Sequence, residues 1–519
     1  MSDAAICLTI LVAAIALFVT NALPVEIVAL AVALALYATG VIELGAAFAG
    51  FSDPVVVFLA ALFVVSEGID ATGVTTWTSR RIVNLVGTRR RRLLALTMLL
   101  GAVMACLISP NGAVAALLPM SVMTARRAHP SPSLVAMPLA FAAGSGALLV
   151  LTGSPINLMA SEAATSSGYA GFSFWSFAWV GVPLVAGAIA IILVFAPRVL
   201  PDRRADARVA DLSRHAGTLA RDYAAGDVVL DTASGLAEVV VPPRSGYLGD
   251  EVTVGHVTEG GLEVVAMQRS GAPSDGPIAL RVGDALLVRG PWERLEQNVR
   301  DHDVLVVNAP EQIRRQAVPM GPRAGRAVAI LLGMVVLLSL DLVPAAIAAL
   351  LAAGAMVLTR VVRVEQAYHS ISWTTVVMIA GMIPLSTAIH DTGAAATLGG
   401  LLVRTFGSGG PLVLMVGLFA VIAVLGQFVS NTATALIVLP IAQASAAAMR
   451  LSPVPFLMLV AVASASSLLT PIATPANMMV MGPGGYRFGD YWKLGLPVLA
   501  WYLVVCIAII PLVWRFEPG

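Results

Sequence analysis

Apolar residues run along this chain in long blocks separated by short polar stretches. The blocks fall near residues 5–20, 24–40, 53–71, 92–108, 112–125, 133–165 and 174–197. A polar stretch occupies about 198–322, and apolar blocks resume near 325–340, 343–360, 373–390, 411–429, 432–449, 455–482 and 491–514. Blocks of this length predict membrane-spanning helices. Between two of them stands Ser430-Asn431-Thr432. Three adjacent polar side chains facing lipid would leave hydroxyl and amide groups unpaired, at a cost of several kcal/mol each. The run is therefore either buried between helices or the tip of a re-entrant hairpin.

The two sets of blocks match in order. Asn21-Ala22-Leu23-Pro24 pairs with Asp341-Leu342-Val343-Pro344, and Ser66–Gly73 with Ser386–Gly393, both 320 residues apart. Ser109-Pro110-Asn111-Gly112 pairs with Ser430-Asn431-Thr432-Ala433 at 321, and Gly153-Ser154-Pro155-Ile156-Asn157 with Ala473-Thr474-Pro475-Ala476-Asn477 at 320. Phe174, Phe177, Gly181 and Pro183 pair with Phe488, Tyr491, Gly495 and Pro497 at 314. Such register predicts an internal duplication. If 92–125 and 411–449 are hairpins that enter and leave on one side, each half crosses five times and the repeats are inverted. The expected fold is a membrane all-α protein of two inverted repeats, each with five spans and one hairpin, with a small α/β domain inserted between them. The expected boundaries are 1–200, 201–322 (core about 225–310) and 323–519.

Charge sets the orientation. With both termini outside, the inner loops carry Arg80, Arg81, Arg89, Arg90, Arg91, Arg92, Arg126, Arg127, Arg360, Arg363, Arg487 and Lys493, against Arg404, Arg450 and Arg515 outside. This is the positive-inside pattern, and it places the inserted block in the cytoplasm of a cell inner (plasma) membrane protein. Trp77, Trp175, Trp179, Trp373, Trp492 and Trp514 fall near span ends. Within the insertion, Leu236–Val241, Leu262–Gln268, Ala285–Val288 and Val304–Val307 read as strands. Leu248–Thr258 and Trp292–Arg300 read as helices, and Arg203–Arg221 as a linker.

Composition agrees with the pattern. Charged residues make up 12% of the 519, and mean hydropathy is +0.89, whereas soluble domains carry about 25% charged residues. A net charge of +1 argues against a nucleic-acid partner. Cys7, Cys106 and Cys506 lie scattered in apolar blocks and fit no metal motif. The start of the chain lacks a basic segment and a cleavage signal, so the first block reads as a retained span.

Candidate chemistry gathers at four places: the tips Ser109–Gly112 and Ser430–Thr432, and the proline-interrupted segments around Ser154-Pro155 and Thr474-Pro475. Proline removes a backbone hydrogen bond, and neighbouring small residues let the helix unwind. Broken helices at matching places in two halves point to a transport site. Their N-termini suit an anion, and their freed carbonyls suit a cation such as sodium. The plain alternative is a set of kinks satisfied by nearby Ser and Thr; four paired elements favour a site. The hairpin arms and broken segments contain no Lys, Arg or His, so dipoles, amides and hydroxyls would hold the anion. The only acidic residue there is Glu162, at the far end of its block, which disfavours a proton relay. Neither an enzyme motif nor a potassium filter is present.

At these residues the chain resembles the divalent anion:sodium symporter family. The resemblance rests on Ser430-Asn431-Thr432-Ala433-Thr434, Ala473-Thr474-Pro475-Ala476-Asn477 and Gly153-Ser154-Pro155-Ile156-Asn157. It implies a homodimer moving sulfate or di- or tricarboxylates by an elevator motion. Substrate contacts would come from Ser109, Asn111, Gly112, Ser154, Pro155, Ser430, Asn431, Thr432, Thr474 and Pro475. Sodium would bind at Ser109, Asn111 and Gly153 in the first half, and at Gly426, Val429, Asn431 and Ala473 in the second. Sodium is the expected coupling ion, with no other cofactor or metal. The first tip departs from the pattern: Pro110 displaces the asparagine and Gly112 stands in place of threonine. Family members often carry a hydroxyl four residues before the motif, where this chain has Ala105 and Gly426.

The insertion resembles the C-terminal domain of potassium-conductance regulators (TrkA-C), through Glu238–Ser245, Leu262–Arg269 and Val282–Gly290. That likeness implies dimerisation, with two readings open, a domain that binds a small regulatory ligand and a dimerisation or stability module without one, and it favours sulfate. The expected function is a sodium-coupled, non-enzymatic transporter of a small divalent oxyanion, sulfate first. Three alternatives stay open: a di- or tricarboxylate symporter, a cation transporter or channel, and a non-transporting anion sensor. Expected partners are the dianion, sodium and membrane lipid.

Overall fold

A computed structural model describes residues 2–20, 22–74, 77, 90–127, 131–201, 234–258, 261–269, 272–273, 276–292, 294–295, 305–306, 321 and 323–517. Its backbone contacts divide it into two compact units, 1–69 with 79–208 and 326–519, and 70–78 with 209–325.

The larger unit is helical. Its first half contains α1 (Asp3–Thr20), α2 (Val25–Ala38), α3 (Leu44–Phe48), α4 (Pro54–Ala71), α5 (Arg90–Leu107), α6 (Pro110–Arg127), α7 (Ala136–Gly146), α8 (Pro155–Ser166) and α9 (Ala178–Val199). Its second half contains α10 (Ala324–Ser339), α11 (Ala345–Leu358), α12 (Val364–Ser370), α13 (Trp373–Asp391), α14 (Ala394–Phe406), α15 (Pro411–Leu425), α16 (Asn431–Ala448), α17 (Val454–Ser464), α18 (Pro475–Gly484) and α19 (Tyr491–Val513). Among the described residues six helical stretches are long and apolar enough to cross a membrane: Asp3–Thr20, Leu44–Ala71, Ala178–Val199, Trp373–Asp391, Asn431–Ala448 and Phe488–Val513. This is a multi-pass membrane protein. The short α3 and α12 and the amphipathic α14 fall outside the apolar blocks, so hydropathy alone misses them.

Proline and hydroxyl residues place the helix starts. Pro110, Pro155, Pro411 and Pro475 occupy first helical positions, where a missing N–H costs nothing. Each long block at 133–165 and 455–482 splits in two, α7/α8 and α17/α18, around an extended segment. The equivalent turns after α4 and α13 both use a glycine, Gly73 and Gly393, at φ 75°, a conformation costly for side chains with a Cβ. A Cβ at Gly181 would collide with the carbonyl of Leu148, and one at Gly495 with that of Leu468. These glycines let α9 and α19 lie directly against the two extended segments.

Long polar side chains tie the two halves together. Gln443 Nε2 on α16 donates to Ala163 O and Ser167 Oγ, both at 2.8 Å. Tyr486 accepts from Met137 N–H at 2.9 Å and donates to Ser133 O. Tyr502 OH donates to Ser145 Oγ at 2.9 Å, and Trp501 Nε1 donates to Pro183 O at 3.1 Å.

In the smaller unit, β1 (Ser234–Val240), β2 (Glu251–Val252), β3 (Glu263–Arg269), β4 (Ala272–Pro273), β5 (Ile278–Ala279), β6 (Ala285–Pro291) and β7 (Leu305–Val306) form two antiparallel sheets. The larger has the order β4-β3-β6-β1-β7, and β2 pairs with β5. Val239, Val264, Met267, Val288 and Trp292 form its core. All four expected strands are present. The helix expected over Leu248–Thr258 is not: this stretch holds turns and β2. Gly249 and Gly255 take φ 93° and 87°, and the β-branched Val252, Thr253 and Val254 favour extended backbone. Most of the helix expected over Trp292–Arg300, and the linker Arg203–Arg221, lie outside the described residues.

Candidate functional site

The two hairpin tips and the two extended segments line a single cavity of about 540 Å³. Ser109, Pro110 and Asn111 approach from the turn between α5 and α6, and Ser430, Asn431 and Thr432 from the turn between α15 and α16. Gly153, Ser154 and Pro155 line the cavity together with Ala473, Thr474 and Pro475. Residues as far apart in sequence as Val25 and Asn477 thus share one space. No Asp, Glu, Lys, Arg or His is among the residues lining it.

Each of the four elements presents the start of a helix, capped by its own hydroxyl. Ser109 Oγ accepts from Gly112 N–H at 3.0 Å, and Ser430 Oγ from Ala433 N–H at 3.4 Å. Ser154 Oγ accepts from Ile156 N–H at 3.3 Å, and Thr474 Oγ1 from Asn477 N–H at 3.1 Å. The caps use one donor per helix and leave others free. Among the described residues the backbone N–H groups of Asn111, Asn431, Thr432 and Ala476 have no hydrogen-bond acceptor, and all four residues line the cavity. Four positive helix ends and unspent amide donors converge on a neutral cavity, which is an arrangement for an anion.

A pair of asparagines holds the extended segments open. Asn157 Nδ2 donates to Ala147 O and Val150 O, both at 2.9 Å. Asn477 Nδ2 donates to Ser467 O at 3.1 Å and Thr470 O at 3.2 Å. Donors and acceptors are each 320 residues apart, so the two halves repeat the same amide clamp. The asparagines belong to the motifs that pair in the sequence, but only the structure shows that their amides replace the missing helical donors. Asn157 is fully buried, whereas Asn477 lines the cavity.

Of the residues expected from sequence to contact substrate, nine line the cavity and Gly112 does not; the Gly112 N–H is taken up by the Ser109 cap. Gly153, Ser109 and Asn111 of the first expected cation set line the cavity, as do Asn431 and Ala473 of the second. Gly426 and Val429 lie behind the second tip, buried. Among the described residues no hydrogen bond reaches the carbonyls of Gly426, Val429, Ala473 or Gly153. Neutral carbonyl oxygens of this kind are hard donors, which suit an alkali cation better than a transition metal.

Sequence reasoning missed Ser66, Thr152, Ser372, Thr374, Thr375 and Ser467, all of which line the cavity. Ser66 stood in a matched motif and donates to Ile108 O, just before the first tip, at 3.0 Å. Ser372 and Thr375 share a 2.8 Å hydrogen bond in the first turn of α13. Nothing in the periodicity marks that turn, because α13 reads as an ordinary span. Met378, one turn further on, accepts from Ser430 Oγ at 3.7 Å.

Comparison with known proteins bears on the same region. A model of the citrate transporter family (CitMHS) matches residues 15–451. An uncharacterized transporter of Escherichia coli (strain K12), YfbS, is 31% identical over 98% of this chain and 99% of its own length. Shorter matches include sodium/sulfate cotransporter 2 of Chlamydomonas reinhardtii, 24% identical over 47% of this chain and 28% of that protein. Another is the L-tartrate/succinate antiporter of Escherichia coli (strain K12), 29% identical over 38% of this chain and 41% of that protein.

Proposed function

We propose that this chain, which belongs to the citrate transporter (CitMHS) family of secondary transporters, carries a small divalent oxyanion, sulfate before a C4-dicarboxylate, together with sodium. The observation that carries this reading is the convergence of four capped helix N-termini on a cavity lined by no charged side chain. Sulfate and the tartrate/succinate pair, named for two relatives, are small dianions with oxygen acceptors. Ser430, Asn431, Thr432 and Thr474 supply donors from one side; Ser109, Asn111 and Ser154 supply them from the other. The cation is held behind the second tip by Gly426, Val429, Asn431 and Ala473. The first set, Ser109, Asn111 and Gly153, is weaker, because Gly112 replaces a hydroxyl residue there.

In the proposed topology the halves are inverted repeats with both termini outside and the inserted unit, a TrkA-C-like regulatory and dimerisation domain, in the cytoplasm. The first turns of α2 and α13 then lie at the cytoplasmic ends of their helices. Val25 and Ser372, Thr374 and Thr375 of those turns line the cavity, so this conformation faces inward. The cross-half bonds of Gln443, Tyr486, Trp501 and Tyr502 join the hairpins, broken helices, α9 and α19 into one moving body. That body slides against α2, α4 and α13 of the dimeric scaffold.

The test is uptake of sulfate and of succinate into proteoliposomes, with and without an inward sodium gradient. Sodium-stimulated sulfate uptake is expected, with Asn431→Ala abolishing it while the protein stays folded and dimeric. Uptake of neither anion sinks the substrate class. Uptake indifferent to sodium sinks the coupling, and near-normal uptake by Asn431→Ala sinks the site.

A further inference from the structure

The two tips line the same cavity but are held differently. Behind the second tip, Ser467 Oγ donates to Asn431 Oδ1 at 2.6 Å. Gln427 Oε1 accepts from Leu469 N–H at 3.0 Å, while its Nε2 donates to Ala423 O at 2.9 Å. Thr470 Oγ1 donates to Gln427 O at 3.3 Å, and Tyr491 OH donates to Asn477 O at 2.6 Å. The residues at the matching places of the first half are Ala147 for Ser467, Cys106 for Gln427, Val150 for Thr470 and Phe177 for Tyr491. None of them can make the corresponding bond. Of this second-half network, the first half keeps only the asparagine clamp.

With the Ser467 hydroxyl donating to Oδ1, the oxygen of the Asn431 amide lies on the Ser467 side and the NH₂ group is turned away from it. Both residues line the cavity, so the group left to meet a ligand there is a donor. Room for the hydroxyl comes from Gly426, where a Cβ would lie 2.8 Å from Ser467 Oγ. Any side chain at 426 therefore pushes the hydroxyl off its place. Gln427 holds the extended segment that carries Ser467 against the tip, through the N–H of Leu469 and the hydroxyl of Thr470.

We propose that Ser467, seated against Gly426 and braced by Gln427, is a positioning residue that aims the Asn431 amide at the transported anion, so that the second tip alone offers a side-chain donor fixed in advance. This rests on the oxyanion reading of the cavity. A donor already aimed loses no orientational freedom when the anion arrives, so the effect belongs in affinity rather than in turnover.

The experiment measures radiolabelled sulfate binding to the purified full chain, and uptake in proteoliposomes, for Ser467→Ala, Ser467→Thr and Ala147→Ser. Ser467→Ala is expected to raise the sulfate Kd and the half-saturating concentration about tenfold, equal to ~1.4 kcal/mol, with the maximal rate within about twofold. Ser467→Thr keeps the donor and is expected to stay near wild type. Ala147→Ser is expected to change nothing, since Asn111 is displaced from the matching position. Unchanged affinity in Ser467→Ala, beside an inactive Asn431→Ala, overturns the positioning role while leaving the site standing. A fall in maximal rate without a change in Kd overturns it as well. Normal uptake by Asn431→Ala removes the site, and the inference goes with it.

Discussion

Replacing Asn477 with leucine keeps most of the side-chain volume and removes the amide. In the native protein that amide donates to Ser467 O and Thr470 O at 3.1 and 3.2 Å, from a residue only 2% exposed. Both carbonyls belong to the extended segment between α17 and α18, which has no helical donor to satisfy them. A buried acceptor stripped of its donor costs ~1–3 kcal/mol, so the pair costs ~2–6 kcal/mol. Cavity water offsets part of this at Asn477, which places it toward the lower end. At the fully buried Asn157, whose amide makes the same two bonds at 2.9 Å, Val150 O also accepts from Gly153 N–H at 3.2 Å, so the loss there is toward the lower end as well. The segment also carries Thr474, so its collapse moves a cavity-lining hydroxyl and a helix N-terminus together. The assay is thermal unfolding of the purified protein alongside sulfate uptake. Both leucine variants are expected to melt earlier than wild type and to lose uptake. Melting midpoints unchanged in both would show that the asparagines do not hold the broken helices, and would refute the clamp.

Two other measurements probe the orientation and the inserted unit. Thr374→Cys, exposed in the first turn of α13, is expected to react with a membrane-impermeant maleimide only from the cytoplasmic side of sided vesicles, with sodium and sulfate slowing the reaction; labelling from the outside alone reverses the topology. Asp284 accepts from Arg269 Nε and Nη2 at 2.8 and 2.6 Å and from Arg281 N–H at 2.8 Å, and these contacts, the Arg269 guanidinium first, hold its carboxyl below the ordinary range despite burial. Its contribution to stability is therefore full above the unfolded carboxylate pKa of about 3.9 and is lost as pH falls through the lowered folded value. Asp284→Asn is expected to speed hydrogen exchange across β3 and β6 at pH 7, by a loss of ~1–3 kcal/mol that allows for the part-exposed arginine, and an unchanged exchange pattern refutes the link.

Much of this architecture is legible in the sequence because lipid imposes a simple rule. A span must be apolar and satisfy its own backbone, so blocks, proline interruptions and polar tips stand out. The same rule hides α14. That helix is amphipathic, and its apolar face is no longer than that of a soluble helix. The site is half legible. Ser430–Thr432 and Ser154-Pro155 announce themselves as polar groups in apolar runs, whereas Ser467 lies in the small-residue run Ala463-Ser464-Ala465-Ser466-Ser467. Nothing local separates it from its neighbours. Its role comes from a tertiary contact with Asn431, 36 residues earlier. The helix expected over Leu248–Thr258 fails for the opposite reason: its apolar spacing fits a helix, but two glycines at positive φ and a β-branched run decide the backbone.

The absence of fixed charge from the cavity lining bears on the coupling proposed above. An effective penalty of several kcal/mol accompanies each ion taken from water into a low-dielectric interior, and a dianion carries two such charges. A helix N-terminus returns ~0.3–1 kcal/mol, up to ~2 kcal/mol where partly buried. Four of them therefore supply ~1–8 kcal/mol, to which the free amides of Asn111, Asn431, Thr432 and Ala476 add their hydrogen bonds. That is enough to bind a dianion but leaves its charge to be moved across the membrane. A lysine or arginine in the cavity would neutralise it permanently, and the empty carrier would then return with an uncompensated positive charge. A cation that binds and leaves with the anion cancels charge only while the anion is present. In the proposed site, the carbonyls of Gly426, Val429 and Ala473, which among the described residues receive no hydrogen bond, are the oxygens for such a cation. On the proposed mechanism, neutral donors therefore require a travelling counter-ion, and uptake of the anion without one would separate the two.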